Sequence, residues 1–465
     1  MGAYALMCQE GLYRLGVTMS YEQNIDFVLR TVEERDIRFV RLWFTDVLGN
    51  LKSFAISPED LEEAFDEGIG FDGAAVDGFA PLQESDMLAF PDPETFQMLP
   101  WRPETSGAAR IFCDIKTPSR ESFAGGDPRA VLTRVFMAAD KMGYLLNVGP
   151  EIEYFYFAND KDPVPMDSAG YFDLTPSDSA RDLRRNTTLT LEKMSIPVEY
   201  SYHAVAPSQN GIQLRYAEAR TSADNIMTAR HVIKQAAFEE GMYASFMPKP
   251  FNGTSGSGLF LQESLFDHDG NNLFWAEDVE GGTHLSDLAK HYVAGILKYA
   301  REISLVTNPT VNSYKRFVPD SEVPCFATWG RKNRSALVRI PTHKPGKHAS
   351  TRIEIRSPDP TCNPYLAIAA TLAAGLKGIE DKLELQPESP IDLKTLTPSE
   401  LAANGITPLP RDLGEAIEAF EQSELMHETL GEHVFDFLLS QKRREWEDYR
   451  TTISSWELGR YYAGF

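Results

Sequence analysis

The chain has 465 residues, 42% of them apolar and 24% charged, with a formal net charge of −23. That length suits two packed cores rather than one, and no run approaches the roughly 20 apolar residues needed to span a bilayer. The acidic balance argues against nucleic acid or membrane as a partner, because phosphate surfaces call for a basic face, but it leaves room for a small anionic substrate wherever arginines are concentrated locally.

Residues 1–18 carry one Arg and one Glu and no apolar signal-peptide core, so they read as a leader or extension ahead of Met19. Residues 22–35 predict an amphipathic helix, and Ile37–Thr45 and Leu51–Ile56 predict strands about a Leu-Gly-Asn turn. Ser57 caps a short helix with Pro58 at its first position. Residues 72–103, rich in Gly, Pro and Asp and without a sustained period, read as a long ordered loop, and 109–116 as a strand. A small N-terminal domain is expected over 19–122 and a larger one over 123–465. Asp127-Pro128 opens a helix that stops at Gly143. Beyond it, strands are expected at 144–157, 198–206, 211–216, 244–247, 257–266 and 350–356. Helices are expected near 178–194, 222–240, 284–305, 364–381, 411–422 and 426–441. This irregular alternation favours an α+β fold over a doubly wound sheet. The four cysteines (Cys8, Cys113, Cys325, Cys362) form no C-x-x-C pair, which fits buried thiols in a reducing cytoplasm.

Two segments concentrate chemistry. Gly149-Pro150-Glu151-Ile152-Glu153-Tyr154-Phe155 puts two carboxylates on one strand face. Its aromatic continuation suggests burial, where a carboxylate needs a cation, metal or arginine. Arg352-Ile353-Glu354-Ile355-Arg356 reads plus–minus–plus on one face, which suits a metal through the glutamate and a phosphate through the arginines. Each has a bland alternative, a solvated strand face for the first and a salt-bridge ladder for the second. Lys315-Arg316 and the run from Asn333 to Arg339 add further cations.

Together with Phe71-Asp72-Gly73-Ala74-Ala75, Phe246-Met247-Pro248-Lys249-Pro250 and Asn312-Ser313-Tyr314-Lys315-Arg316, these blocks resemble, in order and spacing, type I glutamine synthetases, with actinobacterial paralogues the most similar. The resemblance runs from about residue 20 to the end. It implies a small β-grasp-like N-terminal domain beside a large catalytic α+β domain. It also implies twelve identical subunits in two hexameric rings, with assembly alongside a paralogue a further option. The implied chemistry is ATP-dependent phosphorylation of glutamate and its amidation by ammonia, with two Mg²⁺ or Mn²⁺ ions. By the same resemblance Asp72, Glu322, Arg334 and Arg339 are catalytic; Arg316, Arg356, Gly256 and Tyr171 bind substrate; Arg339, Arg352 and Ser264 contact ATP; and Glu151, Glu153 and Glu354 hold metal.

Three expected ligand positions depart from the family pattern. The segment that supplies two metal-binding glutamates reads His203-Ala204 to Gln209-Asn210-Gly211, with Ala204 and Gly211 in their places. The strand that supplies a histidine reads Gly256-Ser257-Gly258-Leu259-Phe260, with Phe260 there. Ala75 stands where a serine helps to hold ammonium, and Lys394 lies near the tyrosine that adenylylation modifies in some relatives. Disturbing even an outer-shell partner costs roughly 10–100-fold in metal affinity or activity. At most one metal site is therefore expected, and a weak one. The first reading is a glutamine-synthetase-like protein without ordinary ligase activity. The second is a γ-glutamyl ligase for an organic amine, and the third is ordinary glutamine synthetase in nitrogen assimilation.

Overall fold

The structure, a computed structural model, describes residues 20–79, 86–101, 107–121, 126–174, 178, 180–277, 284–318, 323–342, 346–389, 393 and 398–464. The expected leader, the expected boundary near residue 122, Glu322 and Lys394 lie outside the described residues.

Ser20 and Gln23 exchange side-chain and backbone bonds in a capping box that starts helix α1 (Tyr21–Glu34). Its apolar face lays Val28 and Val32 on a sheet built from β1 (Ile37–Thr45), β2 (Leu51–Ile56), β3 (Ile69–Asp72), β4 (Asp86–Pro91), β5 (Gln97–Met98) and β6 (Gly107–Lys116). The strand order is β2-β1-β6-β4-β3, with β1 and β6 parallel. β4 and β5 fall inside the stretch expected to be a loop. β4 lies between β3 and β6, with Met87, Ala89 and Phe90 buried, so pairing on both sides makes it a strand although its sequence has no lasting period.

Asp127 accepts the amide of Arg129 and, with Pro128, starts helix α2 (Pro128–Lys141). The second sheet comprises β7 (Leu145–Phe157), β8 (Val198–His203), β9 (Gln209–Leu214), β10 (Ala217–Glu218), β11 (Tyr243–Ser245), β12 (Leu259–Phe266), β13 (Trp329–Gly330), β14 (Val338–Arg339) and β15 (Ile353–Ile355). Its main order is β13-β14-β15-β12-β7-β9-β8, with β10 and β11 on β7. Helices α3 (Ala219–Glu239), α4 (Asp287–Lys298) and α5 (Pro364–Glu380) share its core. The helix expected at 426–441 is two, Glu424–Leu430 and Glu432–Thr451, divided at Gly431, whose φ of 80° no α-helix accepts. No helix among the described residues is long and apolar enough to cross a membrane.

Glu263 on β12 shows which sheet face the helices cover. It is fully buried and accepts bonds from Tyr292 of α4 at 2.7 Å and Thr371 of α5 at 2.6 Å. Burial pushes its carboxyl up to about 7, against the opposing pull of the two hydroxyls. In the unfolded chain a glutamate titrates near about 4.3. Between those values the native state keeps a proton that the unfolded state has lost, so this contribution to stability falls as pH rises and levels off above about 7. Glu263→Gln is expected to reduce the decline of Tm between about pH 5 and 8 in thermal unfolding. Asp127, pushed to about 7 mainly by burial, keeps its own share of that decline. An unchanged slope would mean that Glu263 is not held neutral.

Candidate active site

The sheet face away from these helices floors a cavity of about 590 Å³. Strand alternation brings Glu151 and Glu153 of β7, Phe260 and Gln262 of β12, Gln209 and Gln213 of β9, and Tyr200 and Tyr202 of β8 to it. Register sets them in rows. Phe260 stands opposite Glu151 and Glu151 opposite Gln213, while Glu153 stands opposite Gly211 and Gly211 opposite Tyr202. A register shift between Val198 and Tyr200 lets Glu199 line the cavity beside Tyr200. Arg352, Glu354 and Arg356 enter from β15 and its flanks, Arg339 from β14, and Arg316, Arg334 and Gly256 from connecting segments. Arginines therefore occupy the β14–β15 side, carboxylates the middle, and tyrosines the β8 edge.

Each central carboxylate has donors. Arg356 Nη1 donates to one oxygen of Glu354, and Arg339 Nη1 to the other at 3.4 Å. Tyr202 Oη donates to Glu151. The Gly258 amide donates to Glu153 at 2.7 Å. Burial pushes the Glu151 carboxyl up to about 6, the Tyr202 bond pulls it down, and the Glu354 charge adds to the rise. Burial likewise pushes Glu153 to about 7, with the Gly258 amide opposing it and the charge of Glu151 adding to it.

The three departing positions differ in character. Ala204 is fully buried, its amide bonded to the Gln209 carbonyl in the β8–β9 hairpin. Gly211 lies under the Tyr202 ring, where an added Cβ would sit 2.3 Å from Cζ and 2.6 Å from Oη. Phe260 is half-buried, with the Arg356 guanidinium 4.7 Å from its ring centre in a cation–π contact.

Of the other expected site residues, Tyr171 stacks on Phe172 with ring centres 4.0 Å apart and meets Tyr202 edge-on at 5.7 Å. Gly256 permits a close backbone approach, since a Cβ there would lie 2.4 Å from the Pro248 carbonyl. Arg316 is buried and donates to the carbonyls of Ser357 at 3.0 Å and Pro358 at 3.4 Å. Arg352 bonds Gln262 and lines both the main cavity and an adjoining recess of about 160 Å³ that contains Ser264. Ser264 donates to the Thr351 carbonyl at 2.9 Å. Asp72 does not join the cavity of its own chain; it is exposed on the first sheet and accepts the Ala74 amide at 2.9 Å.

Sequence reading missed Tyr202, Tyr200 and Glu199. The usable signal is Tyr-Ser-Tyr alternation in a strand whose hairpin partner carries a lone Gly, the residue an overlying ring requires.

Among the described residues, the one group of three His, Cys, Asp or Glu with ligand atoms within 4.8 Å of one another is Asp167, Asp178 and His203, away from this floor. Arg184 pairs with Asp178 there, while Asp167 takes the Ser208 amide at 2.8 Å and faces His203 Nε2 at 3.2 Å.

A small sheet domain and a larger α+β domain with a charged cavity on its open sheet face define a two-domain α+β protein. Residues 36–118 match the glutamine synthetase β-grasp domain and residues 125–461 the glutamine synthetase catalytic domain, and the chain belongs to the glutamine synthetase family. It is 52% identical over 448 residues to a glutamine synthetase of Mycobacterium tuberculosis (strain ATCC 25618 / H37Rv), covering 95% of this chain and all of that one. A glutamine synthetase of Methanosarcina mazei is 47% identical over 440 residues, covering 94% of this chain and 97% of that one. Among solved structures, GmaS in complex with ADP superposes with a TM-score of 0.84 at 29% identity, over 93% of this chain and 99% of that one. The family uses ATP and divalent metal ions.

The ring over Gly211 is testable by itself. Gly211→Ala should cost about 1–3 kcal/mol by overpacking, and the same change in a Tyr202→Ala background should cost much less. Urea unfolding of the four proteins measures this coupling, and equal costs in both backgrounds would contradict the packing.

Proposed function

We propose that this chain is a glutamine-synthetase-family protein with degenerate metal sites, without ordinary glutamine-forming activity, that keeps a pocket for a small anion. One observation carries the reading: Tyr202 fills the space above Gly211 and donates to Glu151. Where the family pattern calls for a glutamate, a neutral phenol is packed. Ala204 and Phe260 add no carboxylate or imidazole to compensate. The proposed roles of Arg316, Arg334, Arg339, Arg352 and Arg356 as anion contacts are supported by their convergence on one cavity. Glu151, Glu153 and Glu354 would hold at most one Mg²⁺ or Mn²⁺, weakly. An oligomer in which Asp72 serves a neighbouring subunit's site is supported by the exposure of Asp72.

A specific feature favours a second reading, a γ-glutamyl ligase for an organic amine. Tyr171, Tyr200 and Tyr202 line the cavity with Glu199, and aromatic faces beside a carboxylate suit an organic ammonium.

With glutamate, ammonia, ATP and Mg²⁺, the purified protein is expected to form glutamine far more slowly than the ~1 s⁻¹ lower end of ordinary turnover. Turnover at that rate would refute the main reading. Phosphate release across a panel of amines separates the second reading from the first.

Restoring the ligands gives a sharper expectation. Ala204→Glu, Gly211→Glu and Phe260→His together should leave Mn²⁺ unbound in calorimetry, because Tyr202 blocks position 211. Adding Tyr202→Ala should restore binding. Tight Mn²⁺ binding by the triple variant with Tyr202 intact would contradict the blocking role.

A further inference from the structure

We propose that a second cavity, between the two domains, binds a small organic anion: a carboxylate or phosphate monoester carried on a compact apolar body. This cavity measures about 690 Å³, larger than the one on the open sheet face and within the roughly 300–1,000 Å³ of small-molecule sites. It shares no lining residue with that face's cavity or its adjoining recess. Arg110 of β6 faces it from the small domain, and Arg129 of α2, Arg215 and Arg220 from the large one.

Countercharge is spread unevenly among these arginines. The two acids deepest in the lining, Asp92 and Asp224, are both held by the buried Arg129, at 2.6 and 3.1 Å. Asp224 also accepts Tyr365 Oη at 2.6 Å. Arg110 is less well met. It is buried and forms no ion pair with a described residue; Nη1 goes to the Thr95 carbonyl, Nη2 to Thr228 at 3.4 Å, and Nε is buried without a partner. Burial pushes its guanidinium down to about 10, although the charge of Asp224 pulls the other way. A guanidinium withdrawn from water in this way calls for an anion. Arg220 makes no side-chain hydrogen bond to a described residue and lies 3.8 Å from Asp92, an acid it shares with Arg129. Arg215 is exposed, and its side chain pairs with no described residue. Glu94 and Glu192 also line the cavity but are exposed, where water and salt screen them. Met194, Ile196, Pro197 and Val198 add apolar surface. Three arginines with donors to give, beside four apolar residues, select a ligand anionic at one end and apolar at the other. Inorganic phosphate uses only the first feature, and a neutral aromatic only the second.

The test is ligand-observed NMR titration of the full chain with phenyl phosphate and with 4-phenylbutyrate, which separates the two head groups. At least one is expected to bind with Kd on the order of 1 mM. Inorganic phosphate and the neutral 4-phenylbutanol should each bind about tenfold more weakly than that probe or worse. Arg110→Gln and, separately, Arg220→Gln should weaken the probe about tenfold, the usual weight of a charge-assisted bond. Arg220→Gln, at a half-buried position, guards against a folding defect in the variant of the buried Arg110. Arg356→Gln, in the sheet-face cavity, should leave the Kd of the probe as it was. Binding lost in Arg356→Gln and kept in Arg220→Gln would place the probe in that other cavity and overturn this assignment. Failure of both probes to bind would overturn it as well, and 4-phenylbutanol binding as tightly as the anions would overturn the choice of an anion.

Discussion

Glu151, Glu153 and Glu354 share one partly dry sheet face, and a carboxylate withdrawn from water must be neutralised, hydrogen-bonded or paired. This chain answers three times, with three kinds of donor. Glu354 takes two arginines, Glu151 a phenol, and Glu153 a backbone amide aided by its own reluctance to ionise. Each solution needs a neighbour of a particular shape. The phenol needs a glycine beneath it, and the amide needs Gly258, where a Cβ would lie 2.6 Å from the Phe260 ring. The phenol and the glycine beneath it form one packed pair, and changing Tyr202 would also leave Glu151 without its phenol donor.

Much of this was legible in the sequence because it rests on period two. Glu-Ile-Glu and Arg-Ile-Glu-Ile-Arg announced which side chains share a face, and Ile353 and Ile355 are indeed fully buried on the other. Caps such as Asp127-Pro128 and Ser57-Pro58 mark helix starts through local bonds alone. Long-range pairing was not legible. β4 is a strand because β3 and β6 flank it, and nothing within residues 86–91 announces that. Tyr202 over Gly211 depends on how the β8–β9 hairpin is registered, a one-residue matter in a strand with a bulge. The broken helix at Gly431 follows from a single positive φ inside an otherwise helical pattern.

The chain keeps the family's framework almost end to end, at 52% identity to a mycobacterial glutamine synthetase. On the proposed reading, the departures that bear on metal binding lie at Ala204, Gly211 and Phe260. On that reading, arginines stand in the cavity beside fewer acids than the family pattern calls for, a balance that favours anions over metal. Cavities of this kind are poised by sums rather than by single residues.

The central claim is that Tyr202 and Phe260 occupy what would otherwise be metal seats. Its most direct test is crystallography of the protein soaked with Mn²⁺ and ADP, using anomalous scattering to locate manganese. The account predicts the Tyr202 ring over Gly211 and at most one weak manganese peak within bonding distance of Glu151, Glu153 or Glu354. Two strong peaks among those glutamates, with Tyr202 turned away, would contradict it.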